Sequence, residues 1–360
     1  MKLQTAPAIL FSLAVGGVFG CTGCGTGSGG SSSGSSGGGG TADITGAGST
    51  FVNPAMSQWA FSYKQAHTGV DVNYQSLGSG AGIAQYKAGT VDFGASDAPL
   101  SDKELADMPT PTIQVPVTAG CEVLAYNLTG VDSGLKLSDD VVADIYLGKI
   151  KAWNDPRIVA QNSGVKLPAT AIAVAHRSDG SGTTFIFTDY LSAVSADWRA
   201  GPGTGKTVNW PVGVGGKGNE GVAGLVKATP GSIGYVELAY AVQSKLTYGQ
   251  LRNKSGSYVL PSVESTADAV AASADALKKD VRVSIVNADG KDSYPITGMT
   301  YVILSKTPKD KAKAAAVVDF IKWILADGQS QSKALQYAPL PKAITDLGAT
   351  ALGEVQTTAK

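Results

Sequence analysis

Three short segments rich in glycine and hydroxyl residues constrain the fold of this chain more than any other feature. Each follows an apolar, strand-like stretch and precedes an amphipathic, helix-like one. They read GAGSTF at residues 46–51, SLGSGAG at 76–82 and HRSDGSGTT at 176–184. From residue 42 onward this repeated order of strand, turn and helix predicts an α/β protein. In open α/β sheets ligands bind at the carboxyl ends of the strands, which is where these turns fall.

The pattern around the turns predicts individual elements. Strands are expected at residues 70–74, 91–97 and 171–175, and helices at 183–198 and 309–326, with a further helix opening at Pro99. In the last helix, Val317, Phe320, Ile321 and Ile324 recur at helical spacing and predict a core face. Large aromatic side chains usually pack in cores. We therefore expect this of Trp153, Trp198, Trp210 and Trp323.

The segment at 176–184 has the chemistry of an oxyanion site. Glycines let backbone N–H groups approach a ligand, and a helix start offers unpaired donors and the positive end of a dipole. Arg177 adds a planar, bidentate guanidinium. Because three such segments occur, we expect them to share one ligand.

Length and charge limit the classes of partner. A chain of 360 residues exceeds the size of one usual core, which favours two lobes. Its 29 basic and 29 acidic residues balance, and charged residues make up only 16% of the chain. This composition argues against nucleic acid or an anionic membrane surface as the main partner. An anion must therefore be held by local groups.

The N-terminus resembles an export signal. Lys2 precedes an apolar run at residues 6–19 that is too short to span a membrane, and Cys21 follows it. We predict a signal peptide at 1–20 and lipidation of Cys21, with an ordinary secretory signal as the alternative and Cys24 as a weaker acceptor. Residues 21–41 then form a lipidated cysteine and a Gly/Ser-rich flexible tether. The protein would be a periplasmic or cell-surface lipoprotein, held at the membrane through the lipid only.

Cysteine and histidine counts argue against other chemistries. Cys121 is the single cysteine beyond the leader, so we expect it to be a buried apolar residue and not part of a disulfide. Two histidines and one thiol form no recognisable metal-ligand spacing. The sequence therefore predicts neither a metal site nor a cofactor.

Two motifs point to enzymes, and we discount both. Residues 200–207 (AGPGTGKT) satisfy a relaxed phosphate-loop pattern, but they follow a predicted helix and not a strand. Ser181, His176 and Asp179 are the residue types of a hydrolase triad, yet all lie within six residues of one turn. A nucleophile, a base and its orienting group could hardly align in that space. The sequence does not predict an enzyme.

Asp97 admits two interpretations. In the stretch Ser96-Asp97-Ala98-Pro99 it resembles a helix cap, which is the simpler reading when the residue is taken alone. A carboxylate beside an anion helps binding only when the anion carries its own proton, as hydrogen phosphate does and sulfate does not. The second interpretation makes Asp97 the acceptor of that proton.

Seven ordered blocks resemble the periplasmic phosphate-binding proteins of ABC-type phosphate importers, the PstS family. The resemblance extends from about residue 43 to 341. The blocks are ITGAGSTF, DFGASDAPLSD, DIYLGKIKAWND, RSDGSGTTFIFTDYL, WPVGVGGKGNEG, PGSIGYVE and YPITGMTYVIL. The Gly/Ser tether is a departure from the soluble periplasmic members.

The resemblance implies a two-lobed, hinge-connected periplasmic-binding-protein fold of type II with the ligand in the interdomain cleft. Lobe I would comprise residues 42–118 and 300–360, and lobe II residues 119–299. Asp97 would accept the phosphate proton, Arg177 would make the charged contact with Asp179 and Gly180 supporting it, and His176 would lie outside direct contact. Hydroxyl and backbone donors would come from Thr50, Phe51, Ser79, Ser181, Gly182 and Thr183.

The resemblance also implies a monomer that captures inorganic phosphate and delivers it to membrane permease subunits served by a cytoplasmic ATPase. Two alternatives stay open from the residues. One is a binding protein for another oxyanion, sulfate or molybdate. The other is an extracellular hydrolase of phosphate esters.

Overall fold

The structure, a computed structural model, describes residues 42–358. The predicted signal peptide, Cys21 and most of the tether lie outside these residues. Twelve strands are described: β1 Ala42–Gly48, β2 Val70–Ser76, β3 Phe93–Ser96, β4 Thr112–Tyr126, β5 Lys136–Leu137, β6 Ala173–Arg177, β7 Val214–Gly216, β8 Ser232–Glu237, β9 Thr247–Tyr248, β10 Gln250–Arg252, β11 Tyr258–Val259 and β12 Thr297–Ser305.

Thirteen α-helices accompany the strands: α1 Asn53–Ala66, α2 Ser79–Ala88, α3 Asp102–Ala106, α4 Asp139–Tyr146, α5 Pro156–Gln161, α6 Gly182–Val194, α7 Ala196–Ala200, α8 Gly218–Ala228, α9 Leu238–Ser244, α10 Val263–Ala272, α11 Ala274–Lys279, α12 Lys311–Leu325 and α13 Lys342–Leu352. Two short 3₁₀ helices, Asp327–Gln331 and Lys333–Leu335, link α12 to the segment before α13.

The main sheet is mixed and runs in the order β2-β1-β3-β12-β4-β8-β6-β7, with β9 added beside β4. β1 pairs in parallel with β2 and β3, and β6 pairs in parallel with β7 and β8. β12 and β4 are antiparallel to each other and join the two parallel groups. A small sheet of β11, β10 and β5 lies apart. The α/β class predicted from the sequence is confirmed.

The two groups of parallel strands have the same arrangement. In each, the first strand along the chain, β1 or β6, lies between its two parallel neighbours. β4 links the groups, because Thr112–Cys121 pairs with β12 and Glu122–Tyr126 pairs with β8. The lobe boundaries predicted at residues 118/119 and 299/300 fall inside β4 and β12, and their positions remain a prediction.

Individual elements agree with the sequence pattern except at their ends. The helix predicted at 183–198 breaks at Ser195, whose backbone is extended and whose hydroxyl caps a second helix, α7. Pro99 does not open a helix. Ser101 does so instead, through a capping box with Glu104. β3 is shorter than the predicted strand, and α12 matches the predicted helix within two residues.

The core follows the predicted apolar stripes. Val317, Phe320, Ile321 and Ile324 of α12 are buried against the sheet. Trp153 and Trp198 are fully buried, and Trp210 and Trp323 pack on the same core while partly exposed. Cys121 is fully buried, as predicted, and forms no disulfide within residues 42–358. Among residues 42–358, no helix combines the length and apolar character needed to cross a membrane.

Candidate anion-binding site

The three glycine-hydroxyl turns meet at the carboxyl ends of β1, β2 and β6. The first turn leads from β1 into α1, the second from β2 into α2, and the third from β6 into α6. Asp97 follows β3, which lies directly beside β1. The fold therefore gathers at one edge of the sheet residues that are more than 100 positions apart in the chain.

The Asp97 carboxylate lies buried among hydroxyl groups. Ser49 Oγ lies 2.6 Å from both carboxylate oxygens, and Thr300 Oγ1 donates to Oδ1 at 2.6 Å. Ser79 Oγ lies farther away, 3.4 Å from Oδ2. The nearby helix is capped by Ser101, and Ser96 Oγ makes the local turn contact with the backbone of Ala98. The helix-cap interpretation of Asp97 is therefore wrong.

Burial raises the pKa of Asp97 to about 6, because a charged carboxylate is poorly solvated in the interior. Hydrogen bonds from Ser49 and Thr300, the positive charge of Arg177 and a hydrogen bond from Ser79 oppose that effect. The balance leaves the carboxylate mostly ionised at neutral pH. In that state it accepts hydrogen bonds and has no proton of its own to donate.

Arg177 is the buried cation of the site, and its side chain is 1% exposed. Its Nε and Nη2 donate to the two carboxylate oxygens of Asp179 at 2.8 and 2.6 Å, a bidentate arrangement. Burial works to raise the pKa of Asp179, but the guanidinium outweighs it and the pKa is lowered. Asp179 also accepts the backbone N–H of Gly218. Three of the five guanidinium N–H groups are engaged within the protein, counting the bond from Nη1 to Thr183 at 3.0 Å.

Hydroxyl groups of the turns accept hydrogen bonds from protein N–H groups. Thr50 Oγ1 accepts from the backbone and side chain of Asn219, at 3.2 and 2.8 Å. Thr183 Oγ1 accepts from Arg177 and from Asn219, and Ser181 Oγ accepts from Thr184 N–H. Since a hydroxyl has one proton and two lone pairs, these oxygens keep their own protons for a further acceptor. Three buried hydroxyls at the turns after β1 and β6 are therefore available as donors.

Ser79 joins the two sides of the cleft. Its Oγ accepts from the backbone N–H of Asp97 at 3.2 Å and of Gly182 at 3.1 Å. Nearby, Gly80 N–H donates to the Gly180 carbonyl at 2.8 Å. A Cβ on Gly180 would lie 3.3 Å from the Gly80 Cα, so both glycines allow the backbones to approach. The predicted supporting residue Gly180 thus lies where the turns touch.

Gly182 is the first residue of α6 and faces Asp97. A Cβ at this position would lie 2.4 Å from Asp97 Oδ2 and 2.5 Å from Ser79 Oγ, which real structures do not tolerate. Phe51 differs from the other predicted residues, because its ring packs in the core beside Tyr337 and only its backbone borders the turn. The Phe51 carbonyl accepts from Tyr337 Oη at 2.6 Å.

Three residues of this cluster were not singled out from the sequence. Asn219 bridges Thr50 and Thr183, and Ser49 and Thr300 hold Asp97. Ser49 lies in the GAGSTF segment and Asn219 in the WPVGVGGKGNEG block, but neither was predicted to be a site residue. Thr300 stands in the YPITGMTYVIL block, whose largely apolar pattern predicts a strand and does not point to Thr300 as a site residue.

The two enzyme-like motifs make no enzyme-like geometry. His176 stacks on Trp210 with ring centroids 4.8 Å apart, Asp179 holds Arg177, and Ser181 caps α6, so the three form no triad. The phosphate-loop-like segment follows α7 without a preceding strand. Within residues 42–358 no group of three or more His, Cys, Asp or Glu side chains is placed to hold a metal ion.

Comparison with known proteins agrees with this geometry. Residues 33–328 match the model of the PBP superfamily domain. Over 300 residues the chain is 50% identical to the phosphate-binding protein PstS of Xylella fastidiosa, covering 83% of this chain and 81% of that protein. It is also 37% identical over 362 residues to the phosphate-binding protein PstS of Methanocaldococcus jannaschii, covering 94% of this chain and 92% of that protein.

The chain belongs to the PstS family. The family predicted from the seven sequence blocks is confirmed. A solved structure of a phosphate-binding protein from Stenotrophomonas maltophilia superimposes with a TM-score of 0.64 at 20% identity, covering 86% of this chain and 93% of that one. The fold of this chain is the two-lobed periplasmic-binding-protein fold of type II.

Proposed function

We propose that this protein captures inorganic phosphate outside the cytoplasm and delivers it to the membrane permease of an ABC-type importer with a cytoplasmic ATPase. One observation carries the proposal. The hydroxyls of Thr50, Ser181 and Thr183, which already accept protein N–H groups, gather with Arg177 at one edge of the sheet. Ser79 links the start of α6 to the Asp97 carboxylate at the same edge. The names of the relatives in the PstS family support the same ligand.

The arrangement of donors and one acceptor favours hydrogen phosphate over sulfate. Near neutral pH hydrogen phosphate has oxygens that accept hydrogen bonds and one O–H that donates. The donors would bind the oxygens, and Asp97 would accept the O–H. Sulfate has no proton to give, so its oxygen would face the carboxylate without a hydrogen bond, a mismatch that costs several kcal/mol.

The proposed role is capture and release without a chemical step. Ser181, the nucleophile of the discounted triad, caps α6 and contacts no general base among the described residues. Binding would hold the two lobes together, since donors come from both. Docking on the permease would open them and release the anion.

We further propose that the protein acts as a monomer, tethered by a lipid on Cys21 and a flexible segment at residues 22–41. Mass spectrometry of the N-terminal peptide from native membranes tests the anchor. A diacylglycerol-modified Cys21 is the expected result. An unmodified N-terminus produced by cleavage at another site would reject it.

Titration calorimetry with phosphate and with sulfate tests the function. The wild-type protein should bind phosphate at least about 100-fold more tightly than sulfate, as expected for a mispaired buried charge. Asp97→Asn should lose most of that preference, because an amide can donate to sulfate. Asp107→Asn, a change at a surface carboxylate on the C-terminal side of α3, is the control and should keep the preference. Equal affinity of the wild type for both anions, or no binding of phosphate, would overturn the proposal.

A further inference from the structure

Two hydroxyl residues outside the predicted ligand set contact the Asp97 carboxylate. Thr300 Oγ1 and Ser49 Oγ both lie 2.6 Å from Oδ1, and Ser49 Oγ lies 2.6 Å from Oδ2 as well. Both side chains are fully buried. An ionised carboxylate can accept several hydrogen bonds through its two oxygens, whereas a protonated one must also place a donor of its own. The surroundings of Asp97 therefore match the ionised form.

The position of Thr300 depends on an irregularity in the central sheet. The register between β12 and β4 shifts after Thr300, so that Thr300 pairs with Thr118 while Tyr301 pairs with Pro116. The extra residue, Val117, has its carbonyl bound by the side chain of Gln329. Bulges of this kind redirect side chains next to functional sites. Here the bulge lies directly beside the hydroxyl that reaches Asp97.

The same contacts orient the carboxylate. Thr300 donates to Oδ1 only, and Ser49 Oγ lies equally close to both oxygens. Oδ2 faces the start of α6, where a Cβ on Gly182 would lie 2.4 Å away. Among the described residues, the one other hydroxyl near Oδ2 is Ser79 Oγ, which lies 3.4 Å away. Oδ2 is therefore the oxygen turned toward the donors of the cleft. The proton of a bound anion would be accepted there.

Burial opposes the ionisation of Asp97, and the positive charge of Arg177 acts against that effect. The acidic and phenolic groups that interact electrostatically with Asp97 come from several strands and from the segment before α13: Tyr74, Glu122, Glu237, Tyr301 and Tyr337. Without the two hydroxyl donors, burial would shift Asp97 toward its neutral form. A neutral carboxyl donates a hydrogen bond and no longer discriminates against sulfate.

We propose that Thr300 and Ser49 are the positioning residues that determine anion specificity: they hold Asp97 as an oriented acceptor and so exclude anions that have no proton. This inference rests on the proposed function of phosphate capture. It goes beyond that function by assigning selectivity to two residues that need not touch the ligand.

The test compares Thr300→Val and Ser49→Ala with the wild type by calorimetry, using phosphate and sulfate across mildly acidic to mildly alkaline pH. Sulfate does not titrate in this range, so its binding reports the protonation of Asp97. Each variant should lower the phosphate-to-sulfate affinity ratio at neutral pH by about tenfold or more, the effect of one hydrogen bond to a charged group. The pH below which sulfate begins to bind should be higher than in the wild type.

Matched variants separate this role from a general structural one. Thr118→Val removes a buried hydroxyl on the neighbouring strand that contacts Ala338 and not Asp97, and it should keep the wild-type ratio and pH profile. Thr300→Ser retains the hydroxyl and should restore selectivity. If the wild type prefers phosphate but Thr300→Val and Ser49→Ala both behave like Thr118→Val, this inference is wrong and the proposed function stands. If the wild type itself shows no preference, the proposed function fails.

Discussion

Replacing Gly182 by alanine tests whether the two sides of the cleft must approach as closely as the structure shows. The new Cβ would lie 2.4 Å from Asp97 Oδ2, 2.5 Å from Ser79 Oγ and 2.6 Å from Asp97 Cβ. Asp97 cannot simply swing away, since Ser49 and Thr300 hold its carboxylate. The methyl group would therefore push α6 away from Asp97 and Ser79.

The expected cost follows from the contacts. Overpacking a well-packed site typically costs about 1–3 kcal/mol. Because the clash arises where the two sides of the cleft meet, we expect the cost to appear in ligand affinity more than in the stability of each lobe. The same energy corresponds to a loss of about 5- to 150-fold in affinity for phosphate. The lost hydrogen bond from Gly182 N–H to Ser79 adds to this effect.

Calorimetry with phosphate and thermal unfolding of the ligand-free protein measure the two quantities. Gly224→Ala is the matched control, because Gly224 lies in α8 with nothing within 4 Å of a new Cβ. That variant should bind normally and gain up to about 1 kcal/mol of stability from its helix propensity. If Gly182→Ala binds phosphate within about twofold of the wild type, the close contact of Gly182 with Asp97 and Ser79 is not part of the geometry that binds the anion.

Three further predictions concern pH, salt and the buried thiol. Burial raises the pKa of Asp97 from 3.8 to about 6, which means that the folded state favours the protonated carboxyl group. The stability that the protonated group provides is complete below about pH 4 and is lost as the pH rises through 6. At neutral pH ligand-free Asp97→Asn should therefore be more stable than the wild type, by up to about 3 kcal/mol in thermal unfolding, and the difference should vanish near pH 4. Lys206 Nζ reaches Glu104 across the cleft at 2.5 Å. Glu104→Gln should weaken phosphate binding by no more than about fivefold, and less so in high salt. Cys121 is fully buried and burial raises the pKa of its thiol, so peptide mass spectrometry should find it alkylated only after unfolding.

Local sequence patterns were sufficient for the parts of the fold that depend on local chemistry. The apolar stripe of Val317, Phe320 and Ile324 predicted α12 within two residues at each end, because residues three or four positions apart lie on one face of a helix. The break at Ser195 was missed. The hydrophobic pattern continues through it, while the capping hydroxyl that starts α7 is a single residue.

The sequence indicated the turns that carry the hydrogen-bond donors of the candidate site. It did not indicate the residues that position the Asp97 carboxylate. Composition identified the glycine-rich turns and Arg177, whereas the donor roles of Thr50 and Ser79 came from the resemblance to the PstS family. Thr300 acts through a bulge in a strand pair, and no feature of the sequence near it indicates that register. The reading of Asp97 as a cap failed for a related reason, since its true partners lie 48 and 203 positions away.

The two groups of parallel strands suggest how one bound anion would join both halves of the molecule. Thr50 and Ser79 follow strands of the first group, whereas Ser181 and Thr183 follow β6 of the second. Neither group alone offers both the carboxylate acceptor and the guanidinium, since Asp97 follows β3 and Arg177 ends β6. In the proposed function, a ligand with both oxygen acceptors and a proton would satisfy the two groups only when they meet. Affinity, selectivity and closure of the lobes would then depend on the same few contacts, and a change to those contacts on either side should alter all three together.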